Sequence, residues 1–133
     1  MIKRIDHVSI VTKDIDKTAS LLAALFGFEA FETHTVPEQG FRSTLMRKDE
    51  VFIELVEPLD AESPMARFLG NRESALHHFS LRVNDIEKEL ESLKAKGIRL
   101  VSEKPSQVSE TVSTNFIHPS SLGGVLVELI ERS

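Results

Sequence analysis

The sequence predicts an α+β fold built from two tandem β-α-β-β-β modules that form one curved mixed sheet. Three observations support this prediction: a strand-and-helix pattern occurs twice at a spacing of 71 residues, each helix of the pattern begins at an Asp, and three strand-like segments follow each helix. Because one such module is too small to bury its sheet face alone, we expect the two to pack together.

The repeat aligns residues 5–17 with residues 76–88 and keeps His, Ser, Asp, Ile and Lys in register. In each copy a strand with alternating apolar and polar residues runs into a helix with an apolar stripe. In the first helix this stripe is formed by Ile15, Ala19, Leu22 and Phe26. The residues expected to cap the two helices are Asp14 and Asp85 at the start and Gly27 and Gly97 at the end.

The other elements follow from strand propensity and turn residues. The predicted strands are Phe28–Thr35, Phe41–Arg47 and Val51–Glu57 in the first module and Arg99–Glu103, Val112–His118 and Val125–Glu131 in the second. Ser63 and Pro64 open a short helix that runs through Leu69. We therefore expect residues 1–133 to form a single domain, with modules at about 3–57 and 76–131 and a linker at 58–75.

Composition excludes several classes of protein. The 133 residues carry a net charge of −5 and include no Cys, so no disulfide framework, thiolate metal site or Cys nucleophile is available. No apolar run approaches the ~18–20 residues of a membrane span, and the acidic balance disfavours nucleic acid as a partner. These features predict a cytoplasmic protein that binds neither a membrane nor nucleic acid.

Each module contributes one His and one Glu at matched strand positions: His7 and Glu54 in the first, His78 and Glu128 in the second. A carboxylate within so apolar a strand is unfavourable unless a positive charge offsets it. A divalent cation provides that charge, and two imidazoles with two carboxylates suit Zn, Mn, Co, Ni or Fe(II). The other histidines, His34, His77 and His118, are expected to lie away from this site.

These residues carry a family resemblance. The two modules, their openings at residues 5–10 and 77–81, and the closing segment 124–129 resemble the vicinal oxygen chelate superfamily, whose fold is called glyoxalase-like. The stretch Pro37–Gly40 and the stretch Asn115–Pro119 most resemble its methylmalonyl-CoA epimerases. The resemblance covers essentially the whole chain.

The resemblance implies a set of functional residues. The metal ligands of the epimerases fall on His7, Glu54, His78 and Glu128, and some epimerases have Gln in place of Glu54. Glu128 would also be the catalytic base. Ser43 occupies the position at which certain epimerases have a second catalytic Glu, and could relay a proton through water. The residues expected to contact substrate are Gln39, Arg42 and Asn115, and the family likeness implies a homodimer.

The implied function is metal-dependent epimerisation of methylmalonyl-CoA, in which an α-proton is removed and returned through a metal-stabilised enolate. The partner would then be a small acyl-CoA thioester and the cofactor a divalent metal ion. Two alternatives stay open: a lyase resembling glyoxalase I, which acts on a glutathione adduct, and a small-molecule-binding protein of the resistance type. The duplicated His and Glu residues disfavour metal-free binding.

Overall fold

The computed structural model describes all 133 residues of the chain. It contains eight strands, three α-helices and two short 3-10 turns, and no helix is long and apolar enough to cross a membrane. In chain order the elements are β1 (Ile2–Thr12), α1 (Ile15–Phe26), β2 (Glu29–Val36), a turn (Pro37–Gln39), β3 (Phe41–Lys48), β4 (Val51–Pro58), α2 (Pro64–Leu69), β5 (Ser74–Val83), α3 (Ile86–Ala95), β6 (Ser106–Ser109), β7 (Val112–Ile117), a turn (Pro119–Leu122) and β8 (Val127–Arg132).

The strands form one mixed sheet in the order β2-β3-β4-β1-β5-β8-β7-β6. In the first half, β1 pairs in parallel with β4, and β3 pairs antiparallel with both β4 and β2. In the second half, β5 pairs in parallel with β8, and β7 pairs antiparallel with both β8 and β6. Both halves therefore have the same β-α-β-β-β topology, which confirms the predicted fold class. The domain and module limits stay a prediction.

Two compact units can be separated: residues 7–77, and residues 1–6 together with 78–133. In the first unit, α1 packs its stripe of Ile15, Ala19 and Leu22 against Met46 and Leu55 of the sheet. In the second, α3 packs Ile86 and Leu90 against a cluster that includes Val83, Val127 and Leu129. In each unit the helix thus covers the strand face opposite Glu54 or Glu128, since adjacent residues of a strand point to opposite faces.

Helix ends follow the predicted capping chemistry. Asp14 accepts a hydrogen bond from the Lys17 backbone N–H at 3.1 Å, and Asp85 accepts the equivalent bond from Lys88 at the same distance. Gly27 ends α1 in the left-handed conformation, with φ 75°. These caps satisfy donors and acceptors that the helix itself leaves unpaired.

A second pair of carboxylates, which the sequence did not reveal, also binds the helix starts. Glu57 Oε2 accepts from the Ile15 N–H at 2.7 Å, and Glu131 Oε2 accepts from the Ile86 N–H at 2.9 Å. Each Glu lies three residues after a candidate ligand, Glu54 or Glu128. The two helices are therefore held to the strands that carry the candidate site.

Two local predictions were wrong. The strand expected at Arg99–Glu103 is reduced to a single bridge at Leu100, and the strand that pairs with β7 is β6, at Ser106–Ser109. Leu100 packs against the apolar core instead of extending a ladder. The Phe26 side chain is 62% exposed, and Phe28 joins the core in its place, because the chain turns at Gly27.

Candidate metal centre

The first half of the candidate site lies on neighbouring strands β1 and β4. Ser9 is directly opposite Glu54 in this parallel pair, so their side chains share a face, and His7 shares it by strand alternation. Ser9 Oγ donates a hydrogen bond to Glu54 Oε1 at 2.7 Å. His7 and Ser9 are buried, and Glu54 is partly buried.

The second half repeats this arrangement on β5 and β8. Ser80 is directly opposite Glu128, and His78 Nε2 lies 3.9 Å from Glu128 Oε1. Both of these ionisable side chains are nearly buried, with 7% and 11% of their surface exposed. Phe116, opposite Glu128 on β7, places its ring edge-on to His78, with centroids 5.1 Å apart.

Three predicted ligands come together. Each of His7, Glu54 and His78 offers one donor atom, and these three atoms lie within 4.8 Å of one another. Two imidazole nitrogens and a carboxylate oxygen also match the ligand preference of divalent transition metals. Glu128 is not a member of this cluster, and its role as a ligand stays a prediction.

Ser43 and Gln39 lie in the first half. Ser43 is buried on β3, opposite Val56 of β4, and therefore on the same face as Glu54. Gln39 belongs to the 3-10 turn before β3 and lines a cavity of about 550 Å³, together with Ser63 and Met65 around α2.

Gly40 closes this turn in a conformation that favours glycine, with φ +75°. A Cβ added at Gly40 would lie 2.7 Å from Ser63 Cβ, closer than real Cβ atoms approach. Ser63 is the N-cap of α2, so the turn and the start of the helix are in direct contact. The stretch Pro37–Gly40 is therefore shaped by its packing on α2.

The structure does not bring Arg42 or Asn115 to the faces that carry the candidate ligands. Arg42 pairs with Glu57 at 3.3 Å and Asp16 at 3.6 Å, on the face covered by α1. Asn115 lies opposite Leu129, and its side chain donates to the Ser102 carbonyl at 2.9 Å. Both side chains are held by structural contacts on the helix side of the sheet, and their assignment as substrate contacts stays a prediction.

The other histidines make local contacts. The His77 ring packs edge-on against Phe68 of α2, with centroids 4.7 Å apart. Burial lowers the pKa of His77 from its ordinary value, and the negative charge of Glu54 partly opposes this shift. His34 is exposed beside Glu32, and His118 Nδ1 accepts from the Ser120 N–H in the turn before β8.

A charged cluster on the strands that carry His78 and Glu128 was not predicted from the sequence. Asp6 is 4% exposed, and its carboxylate accepts hydrogen bonds from Arg82 at 2.8 Å and from Arg132 at 3.0 Å. Arg82 follows His78 by four residues and Arg132 follows Glu128 by four, so each shares a strand face with a candidate functional residue. Separations of 76 and 126 residues leave no local signal for this cluster.

Comparisons with known proteins agree with the geometry. The sequence model of the Glyoxalase/Bleomycin resistance protein/Dioxygenase superfamily matches residues 6–116. The mitochondrial methylmalonyl-CoA epimerase of Bos taurus is 34% identical over 127 residues, which are 95% of this chain and 73% of that protein.

Solved structures give the same result. The methylmalonyl-CoA epimerase of Mycobacterium tuberculosis is 31% identical and superposes with a TM-score of 0.89 over 99% of this chain and 89% of its own. A methylmalonyl-CoA epimerase in complex with methylmalonyl-CoA and NH4+ is 28% identical, with a TM-score of 0.89 over 100% of this chain and 96% of its own. The chain therefore belongs to the Glyoxalase/Bleomycin resistance protein/Dioxygenase superfamily and, within it, to the family of the methylmalonyl-CoA epimerases.

Proposed function

We propose that this protein is a metal-dependent epimerase of methylmalonyl-CoA. The observation that carries the proposal is the cluster of donor atoms from His7, Glu54 and His78. The relatives support the substrate, because one of them was solved with methylmalonyl-CoA bound. The substrate class is an acyl-CoA thioester, and the reaction inverts the carbon next to its carbonyl group.

The metal would be held by His7, Glu54 and His78, with Glu128 as a fourth ligand beside His78. Its identity lies among Co, Mn, Zn, Ni and Fe(II), since these ions accept mixed imidazole and carboxylate ligands. When bound, such an ion polarises a carbonyl oxygen and contributes several kcal/mol to stabilising the negative charge that develops there. Removal of the α-proton from an unassisted thioester is difficult because nothing stabilises this negative charge.

Glu128 is the proposed base. Its carboxylate is nearly buried and lies 3.9 Å from His78, so it is held close to one of the three clustered donors. A positioned carboxylate can take the α-proton from one face of the carbon, while a second group returns a proton to the opposite face, and proton transfer of this kind accelerates a reaction by about 10²–10⁴-fold. Burial excludes bulk water that would otherwise compete for the proton.

The second proton carrier is proposed to act through Ser43. This hydroxyl is buried on the face that carries Glu54. It belongs to the first module, whereas Glu128 belongs to the second. A serine is too weak a base to hold the proton itself, so we propose that Ser43 relays a proton through water. Gln39 is proposed to contact the substrate from the cavity beside α2.

Residues 1–133 would act as one domain, because the proposed ligands come from both sequence modules. We also propose that the protein is a homodimer, from the family likeness, and that it is cytoplasmic, from its composition.

The experiment follows the α-proton of methylmalonyl-CoA in deuterated water. Protein loaded separately with Co, Mn, Zn or Ni is expected to exchange this proton for deuterium, as observed by NMR, while protein treated with a chelator is expected not to. If no metal supports exchange, the epimerase proposal is wrong. Activity on the methylglyoxal–glutathione adduct would then indicate glyoxalase I chemistry.

A further inference from the structure

We infer that Ser9 is a positioning residue that sets how Glu54 coordinates the metal, an inference that rests on the proposed metal site. Ser9 is 1% exposed and fixed on β1, directly opposite Glu54 in the strand pair. Its hydroxyl donates to Glu54 Oε1 at 2.7 Å. This distance is typical of a hydrogen bond to an ionised acceptor, which is about twice as strong as a neutral one.

The hydrogen bond restricts the carboxylate in two ways. It fixes the rotation of the side chain, so that Glu54 is held beside His7 before any metal arrives. It also occupies one of the lone-pair sites of Oε1, so fewer orientations remain in which Glu54 would hold a cation. Outer contacts of this kind orient metal ligands, and removing one typically lowers metal affinity by about 10- to 100-fold.

The repeat supplies a matched comparison within the same chain. Ser80 occupies the equivalent strand position, is 0% exposed and lies directly opposite Glu128. However, Ser80 Oγ has no hydrogen-bond partner. The same residue type at the same position therefore positions a carboxylate in one half of the chain and not in the other.

This difference separates the two serines by role. Ser9 orients Glu54 as a fixed neighbour, whereas Ser80 donates no hydrogen bond to Glu128 and does not set its orientation. Ser9 itself transfers no proton and touches no substrate in this assignment.

Equilibrium binding of Co²⁺ to wild-type protein, Ser9→Ala and Ser80→Ala tests the inference. We expect Ser9→Ala to bind Co²⁺ about 10- to 100-fold more weakly and Ser80→Ala to bind as wild type does. At saturating Co²⁺, the visible absorption of Ser9→Ala should also differ from that of wild type, because the Glu54 carboxylate is no longer held in one orientation, whereas Ser80→Ala should be unchanged.

The outcomes separate this inference from the proposed function. Failure of the wild-type protein to bind Co²⁺ would overturn the metal site itself. Wild-type affinity and absorption in Ser9→Ala would overturn the role of Ser9 alone, as would equal losses in the two variants. Should Ser9→Ala not fold, Ser9→Cys replaces the hydroxyl with a poor donor of similar size and is expected to show the same loss.

Discussion

Ile15 donates its backbone N–H to Glu57 Oε2 at 2.7 Å, which ties the first turn of α1 to the end of β4. Glu57 also pairs with Arg42 on the same face. We expect Glu57→Ala to lower the free energy of unfolding by about 1–3 kcal/mol, because a helix-terminal donor and a cation both lose their acceptor. Urea denaturation measures this change.

Glu110→Ala, at an exposed turn, is the control and should change the free energy of unfolding by less than about 0.5 kcal/mol. A Glu57→Ala variant as stable as this control would show that the bond contributes nothing. Glu131→Ala should resemble Glu57→Ala, since Glu131 binds the first turn of α3 in the same way.

Ser80→Ala is predicted to stabilise the metal-free protein. The Ser80 hydroxyl is fully buried and has no hydrogen-bond partner, and leaving such a group unpaired costs about 1–3 kcal/mol. Removing it leaves only a small void, so the free energy of unfolding should rise by roughly 1 kcal/mol. Denaturation of the chelated protein measures the change, and a clear loss of stability would show that the hydroxyl has a partner in solution.

The fold could be predicted from the sequence because the repeat gives the same information twice. The caps at Asp14 and Asp85 and the alternating strands depend only on local residues. Residues Arg99–Glu103 were wrongly predicted to form a strand, because strand formation there depends on which segment pairs with β7. Pairing begins instead at Ser106, opposite Thr114.

The candidate site shows the same limit. His7, Glu54 and His78 could be found because each occupies a strand position that recurs or has a counterpart in the other module. The positions of Arg42 and Asn115 on the helix side of the sheet could not be predicted, because a residue's face relative to a neighbouring strand depends on register. Register is set by hydrogen bonds between segments distant in sequence, and no local pattern records it.

Glu128→Gln is expected to separate metal binding from proton transfer. The amide keeps the size of the side chain and an oxygen that can coordinate, but it is no longer a base. Deuterium exchange at the α-carbon should therefore fall by about 10²–10⁴-fold. Metal content, measured on the same samples, should stay near that of wild type. Exchange at the wild-type rate would show that the base is another residue.

Ser43→Ala tests the second proton carrier. If Ser43 relays a proton on the face that carries Glu54, its removal should slow epimerisation by at least about 10-fold. Exchange of the α-proton for deuterium requires only Glu128, so it should be less affected. Comparing epimerisation with deuterium exchange on the same samples reveals this difference. Equal rates for variant and wild type would assign the second proton to a different group.

Gly40→Ala tests whether the turn before β3 is shaped by its contact with α2. Gly27 provides a matched control, because both glycines have φ +75°, yet a Cβ at Gly27 would meet only the Lys48 side chain at 3.5 Å. Both substitutions impose backbone strain of about 1–2 kcal/mol, but only the one at Gly40 adds a collision with Ser63 Cβ at 2.7 Å. We expect Gly40→Ala to lower the free energy of unfolding by about 1–3 kcal/mol more than Gly27→Ala does.

Because Gln39 and Ser63 line the same cavity, Gly40→Ala should also raise KM for methylmalonyl-CoA, whereas Gly27→Ala should not. Equal stabilities and equal KM values for the two variants would show that the turn moves freely away from α2 and does not shape a substrate site.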